Sequence, residues 1–361
     1  MTEVGGWGRA MRERRHPDAA LIGFRGLPAR PPPFPAAAVW TSALVIGFVG
    51  CAHADEGGVS FWQPGTYDSL AAVPNQPGWA LSTTSFHGSA YAGSSVAAAR
   101  LVRIGAINQT VAGGLSATSD NFTNIVTLAP SYGFAEKLLG AQLVVGLSTT
   151  VGKASVYDHG TLMAGSGAKA AALQFGLGDE ATGFGDLAPQ AALYWSQDDH
   201  HFMAYATGNA PVGNYSQTRL ANLGIGHGAI DGGGGYTYLN QKAGVEFSAV
   251  AGLTDNFHNP FTSYKNGVDF HLDAGASKYL TDALFVGPVA YFYGELGCDS
   301  GAGDKFGCYR SRVAGTGAQL GYTAPLENMQ AYFNLNSYGE FASKNRPAGW
   351  NVRLTVALSP K

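Results

Sequence analysis

Residues 350 to 359 alternate without a break: Trp350, Val352, Leu354, Val356 and Leu358 fall on one side of an extended chain, and Asn351, Arg353, Thr355, Ala357 and Ser359 on the other. Successive side chains of a strand point to opposite faces, so this period of two assigns one face to an apolar medium and the other to a polar one. The pattern recurs. Phe333 and Leu335 oppose Tyr332, Asn334, Asn336, Tyr338 and Glu340, and Val245, Phe247, Ala249, Ala251 and Leu253 oppose Glu246 and Ser248. In a fourth segment Val268, Phe270 and Leu272 oppose Asp269, His271 and Asp273, the most highly charged of these polar faces.

A secreted sandwich also alternates, but it carries its charge on the outer face. Here only 13% of residues are charged, against about 25% in an average soluble domain, while 45% are hydrophobic and 51 of 361 are glycine. Beyond residue 54 no run approaches the roughly 18 apolar residues that a spanning helix needs, which excludes a polytopic helical protein. Segments of about ten alternating residues joined by turns are the signature of a transmembrane β-barrel. The expected fold is therefore all-β, an antiparallel up-and-down transmembrane barrel. Candidate strands lie near 79–91, 100–117, 124–135, 141–151, 169–178, 184–196, 200–209, 229–239, 243–254, 266–280, 283–297, 310–324, 328–342 and 348–358. That gives fourteen strands, falling to twelve if the weak segments 169–178 and 229–239 are discounted. The tight turns at 197–199, 240–242, 281–282 and 325–327 fall on the periplasmic side, whereas the segment 152–168 is long for a periplasmic turn.

Residues 36–50 (AAAVWTSALVIGFVG) form an apolar run preceded by Arg25 and Arg30 and followed by Ala52-His53-Ala54, an A-x-A cleavage signature. Residues 1–54 thus read as a secretory signal with an over-extended start; lipidation at Cys51 is the weaker reading. The formal net charge is −3, and the leader carries six basic and three acidic residues, so the mature chain is more acidic still and attracts no nucleic acid. Residues 55–78 lack alternation and read as an N-terminal arm that enters the barrel, or else as a periplasmic tail. The barrel itself spans 79–361. In the arm, Pro64-Gly65 forces a turn, and Phe61, Trp62 and Leu70 are expected to hold it by apolar contact that a hydrophobic solute displaces.

Cys298 and Cys308 flank a Gly/Asp-rich loop in an exported chain, which favours a disulfide over a metal site. The inner face of the strands is expected to place Glu246, Asp269, His271, Asp273, Glu295, Glu340 and Arg353 along the lumen, with Phe61, Trp62, Tyr291 and Tyr293 offering ring contacts to a ligand or to the arm. A metal reading of Asp269-His271-Asp273 needs further ligands from neighbouring strands and is the lesser one. Asp198-Asp199-His200-His201 reads as a solvated turn, and the glycine runs 232–235 and 176–186 as loop or strand-end glycines without a phosphate-loop lysine. No G-x-S-x-G elbow is present. No catalytic residue, metal or cofactor is assigned.

The segments FWQPGTYDSLAAVPNQPGW (61–79), GFGDLAPQAALYW (183–195), PVGNY (211–215), YLNQKAGVEFSA (238–249), NGVDFHLDAGASK (266–278) and YGEFASKNRPAGWNVRLTVAL (338–358) resemble the meta-type phenol-degradation outer-membrane proteins. The chain is similar, more distantly, to the long-chain fatty-acid outer-membrane channels. It departs from that pattern at Val212, where a threonine is expected, and at its Leu-Ser-Pro-Lys terminus, which lacks a final aromatic. The resemblance implies a bacterial outer-membrane location and uptake of aromatic or other hydrophobic small molecules, with lipid and the barrel-assembly machinery as partners. Two other classes stay open, a barrel lipase or esterase and a purely structural barrel. Mature protein is expected to begin at Asp55; N-terminal sequencing of outer-membrane material tests this, and retention of residues 1–54 refutes it.

Overall fold

The computed structural model describes residues 60–93, 112–166, 169–304, 307–308 and 310–361. The expected leader, residues 1–54, and its expected cleavage site lie outside them. Twelve antiparallel strands close into a barrel in chain order: β1 (Gly78–Ala92), β2 (Ala112–Leu138), β3 (Ala141–Ser166), β4 (Lys169–Gln197), β5 (His200–Asn209), β6 (Ala229–Asn240), β7 (Val245–Asn256), β8 (Asp269–Tyr279), β9 (Leu284–Glu295), β10 (Arg312–Leu326), β11 (Met329–Lys344) and β12 (Ala348–Pro360). Closure joins β1 to β12 from Leu81↔Leu358 to Tyr91↔Ala348, and the Thr84 and Thr355 hydroxyls meet across that seam at 3.1 Å. A closed ladder leaves no edge to satisfy in lipid.

The two faces follow the sequence period. Leu354 is 42% exposed on the outer wall, while Arg353 beside it is 5% exposed in the lumen. Phe333, Leu335, Phe247, Leu253 and Leu272 face outward; Asn334, Asn336, Glu246, Ser248 and His271 face inward and are buried. Near the tight-turn end, Trp79, Tyr132 and Phe134 stack edge to face with centroids 5.3 and 5.1 Å apart, an interfacial girdle. The long connections, 210–228, 257–268 and 296–311, gather at the opposite end. There Cys298 and Cys308 form a disulfide across ten residues of sequence, a closure that stabilises the loop by about 2 to 3 kcal/mol.

The expected fourteen strands are corrected to twelve. Segments 100–117 and 124–135 are not two strands: the described part of the first runs unbroken through Thr118–Thr123 into β2, and 169–178 and 184–196 likewise fuse into β4. Residues 152–166 of the expected periplasmic connection 152–168 are instead the outer half of β3, and 167–168 lie outside the described residues. Segment 229–239, which the twelve-strand alternative discounted, is β6. The physical reason is length. β2, β3 and β4 have 27, 26 and 29 residues, whereas roughly 9 to 11 cross the hydrocarbon. Past the membrane both faces of a ribbon meet water, so the alternation that marks a strand disappears while the backbone ladder continues. Polar stretches such as Ser119-Asp120-Asn121 then imitate turns. The glycine runs 232–235 and 176–186 also lie inside strands, β6 and β4, and not in loops: a Cβ on Gly233 would come within 2.8 Å of the Tyr205 hydroxyl.

A charge facing mid-membrane lipid costs about 2 to 4 kcal/mol, whereas a lumenal one meets polar groups. Leu354→Arg is therefore expected to reduce the folded, heat-modifiable fraction in outer membranes well below that of Thr355→Arg; equal yields would mean that the wall does not present these faces to different media.

Candidate functional site

Residues 60–72 run inside the barrel, and residues 64–72 are hydrogen-bonded to the β6–β12 side of its wall. Gly65 makes the turn that the chain needs there, with φ +78°, a region open to glycine at little cost. Its N–H donates to Asp273 Oδ1 at 2.7 Å and the Tyr67 N–H to Oδ2 at 3.1 Å. Arg353 Nη1 donates to the Gly65 carbonyl at 2.8 Å and Nη2 to that of Pro64 at 2.5 Å. One turn is thus held at its donors by a carboxylate and at its acceptors by a guanidinium, the charge-assisted class of hydrogen bond. Farther along, Glu246 accepts from the Ser69 hydroxyl (2.5 Å) and the Leu70 N–H (2.9 Å), and the Thr237 hydroxyl from the Ala72 N–H (3.0 Å). Gln319 donates to Ser69 Oγ at 2.6 Å and Asn336 to Asp68 Oδ2 at 2.6 Å.

Trp62 supplies the apolar part of this attachment. It is 5% exposed and packs with Ala72, Met203, Tyr205 and Val250. Its indole stacks on the His271 ring at 3.6 Å, 11° from parallel. Nε2 of His271 lies 3.0 Å from Asp231 Oδ2 and 3.2 Å from the Tyr205 hydroxyl. Phe61 and Leu70 are only partly buried. Beside the apolar contact of Trp62, wall side chains hydrogen-bond the arm's backbone at Pro64, Gly65, Tyr67, Leu70, Ala71 and Ala72.

Of the lumen candidates, Glu246, His271, Asp273 and Arg353 meet around the arm. Tyr291 and Glu340 lie nearby, their hydroxyl and carboxylate 2.7 Å apart, and Glu340 also accepts the Gly349 N–H at 2.8 Å. Asp269 and Glu295 serve the outer rim: Asp269 accepts from Asn256 at 2.8 Å, and Glu295 from the N–H groups of Gly267 and Ser311 at 2.9 and 3.1 Å. Tyr293 is buried beneath the Arg346 guanidinium, 4.6 Å from its ring centroid. Sequence reading missed Asp231, Thr237, Gln319 and Asn336. Asn336 was on a recognised polar face; Asp231 stands just before a glycine run, where no alternation shows.

Between the arm and the opposite wall is a cavity of about 630 Å³. Its far side, from β1 to β4, is rich in hydroxyls, including Thr84, Thr123, Thr127, Ser148 and Thr150, while Phe61, Trp62, Phe86 and Tyr291 contribute rings. The floor is arm residues 60–68, and the roof is loop 210–228. That loop is tied down by two carboxylates. Asp186 accepts the N–H groups of Gly213 and Ile225 (2.8 and 2.9 Å), and Asp179 pairs with Arg219 at 3.0 Å while accepting the N–H groups of Leu220 and Ala221.

A closed antiparallel barrel with an apolar outer wall, an aromatic girdle and a polar interior is a bacterial outer-membrane barrel. Residues 80–356 match the family described as "Putative MetA-pathway of phenol degradation", and the chain belongs to that family. The fold is similar to the COG4313 outer membrane channel from Pseudomonas putida F1, with a TM-score of 0.53 at 14% identity over 82% of this chain and 98% of that one. It is more remotely similar to a Pseudomonas aeruginosa FadL homologue, with a TM-score of 0.37 at 10% identity over 82% and 92%. No curated protein matches the chain.

Asp68, in the arm, has its carboxyl pushed up to about 7, chiefly by burial, against the opposing pull of the Asn336 hydrogen bond and the Arg353 charge. A carboxyl raised in the docked state disfavours docking when ionised, and this penalty begins to lift as pH falls below about 7 and is gone only in the ordinary carboxylate range. The arm is therefore expected to be better protected from protease at pH 6 than at pH 8.5. Asp68→Asn is expected to flatten that dependence, and a wild-type protection profile independent of pH would contradict the assignment.

Proposed function

We propose that this protein is an outer-membrane channel for small, ring-bearing or otherwise hydrophobic solutes, in which the N-terminal arm is a built-in constriction. The observation that carries the reading is the unequal division of the lumen: the arm is tied to β6–β12 and leaves a ring- and hydroxyl-lined vestibule against β1–β4. Family membership and the likeness to a channel fold support it. The mixed lining suits compounds that combine an apolar ring with a hydrogen-bonding substituent, since hydroxyls orient such a solute without binding it tightly. Outer-membrane lipid surrounds the wall, and the barrel-assembly machinery is the expected route of insertion.

A barrel hydrolase would need a serine bonded to an oriented histidine. Ser196 Oγ and His201 Nδ1 are 2.8 Å apart, on exposed side chains at the tight-turn end. The neighbouring Asp199 carboxylate accepts from Asn240 at 2.8 Å, and among the described residues no carboxylate hydrogen-bonds His201. The pair thus lacks the oriented ring that a hydrolase uses, which favours the channel reading; absence of ester hydrolysis by purified protein checks it.

Deleting residues 57–72 is expected to raise planar-bilayer conductance and sensitivity to bulky hydrophobic antibiotics while the barrel still assembles. A deletion that assembles and changes neither quantity shows that the arm is no constriction. Slower growth of a knockout on aromatic carbon sources tests the solute class separately.

A further inference from the structure

The outer end of the vestibule holds a carboxylate that no cation among the described residues answers. Asp158 lies on β3 opposite Ser119 of β2, is 2% exposed, and lines the cavity. Among the described residues its Oδ1 has no hydrogen-bond partner and no ion pair includes it. The arginines that line the same cavity are engaged elsewhere. Arg219 pairs with Asp179, Arg353 donates to the Pro64 and Gly65 carbonyls, and Arg346 lies over Tyr293. The other lining carboxylates take donors that carry no charge: Asp68 from Asn336, Asp186 from Asn209 and backbone N–H groups, Glu340 from Tyr291 and Gly349. A desolvated carboxylate without a compensating cation is costly, and a cation brought by a ligand removes that cost.

We propose that Asp158 marks a recognition site for a protonated amino group on a small ring-bearing solute. An ammonium group brings three donors and a positive charge. Asp158 supplies the opposite charge, and Ser119 and Asn121, on successive inward positions of β2, supply further acceptors; their side chains are already joined at 3.3 Å. The ring of the solute lies inward, toward the arm and the hydroxyl-lined wall. A neutral alcohol of the same shape brings one donor and no charge, so the site discriminates amine from alcohol. This assignment rests on the reading of the lumen as a solute path only for the route by which the amine arrives. Binding is a property of the vestibule itself.

The test is isothermal titration of the full exported chain in detergent with benzylammonium and with benzyl alcohol. Asp158→Asn is expected to weaken benzylammonium at least tenfold and to leave benzyl alcohol unchanged. Glu180→Gln, which removes a carboxylate paired with Lys153 away from the cavity, is expected to match wild type. Folding is checked by heat-modifiable mobility, and Asp158→Ser replaces the asparagine variant if that one does not fold. Equal benzylammonium affinity in wild type and variant, or no binding by folded wild type, overturns the proposal. Planar-bilayer recording of the same preparations separates the two readings. Binding that depends on Asp158 in a protein that conducts nothing sinks the channel and leaves the site. Conductance with binding indifferent to Asp158 sinks the site alone.

Discussion

A backbone amide in hydrocarbon has no water to bond, so every N–H and C=O that crosses the membrane must find its partner in the chain. The β1–β12 seam meets that requirement, and much of the remaining architecture is its consequence. Closure makes an inside and an outside. The outside meets lipid and takes Leu81, Leu354 and Leu358; the inside collects Asp273, Glu246, Asn336 and Arg353 in a space too narrow for each to be fully hydrated. Polar groups packed at that density need partners, because an unanswered buried donor or acceptor costs more than the bond it would have made.

The arm answers many of them. It brings backbone N–H groups to Asp273, Glu246 and Thr237, and backbone carbonyls to Arg353. A peptide segment suits this role because its backbone carries uncharged donors and acceptors at fixed spacing. The stacked Trp62–His271 pair adds the apolar closure of the same contact. Wall and arm are thus complementary along β6–β12. The β1–β4 wall, whose lumenal side chains are largely hydroxyls, exerts no comparable demand, and there the cavity stays open.

The legible part of the fold was the part enclosed by two solvents. In β7, β8, β11 and β12 the lipid imposes one face and the lumen the other, so alternation in Phe247/Ser248 or Leu354/Thr355 reports orientation directly. Outside the membrane that constraint is gone, and the outer halves of β2, β3 and β4 read as turns although their ladders continue. The candidate site was legible only by residue type. Asp273 and Arg353 could be placed on an inner face, but their meeting at Gly65 joins positions 208 and 288 residues apart, which no local pattern encodes. Phe61 and Trp62 look alike in sequence; only Trp62 finds a histidine ring and the buried cluster of Ala72, Met203, Tyr205 and Val250. Asp158 lies in a stretch with no alternation to read.

The unequal strand lengths connect the barrel to its mouth. Because β2–β4 stand beyond their neighbours, they form a tall screen on the side where the arm does not reach, and loop 210–228 folds back onto that screen through Asp179 and Asp186. Asp186 accepts N–H groups from two points of the loop and Asp179 those of Leu220 and Ala221 beside its pair with Arg219, so the roof is held largely by its main chain. The same device holds the floor, where Asp273 and Glu246 grip the arm. Roof and floor are therefore both irregular segments fixed by strand carboxylates, and the space between them takes its shape from main-chain bonding and its chemistry from the wall. Substitutions among the wall hydroxyls can then alter what the vestibule accepts without loosening either boundary.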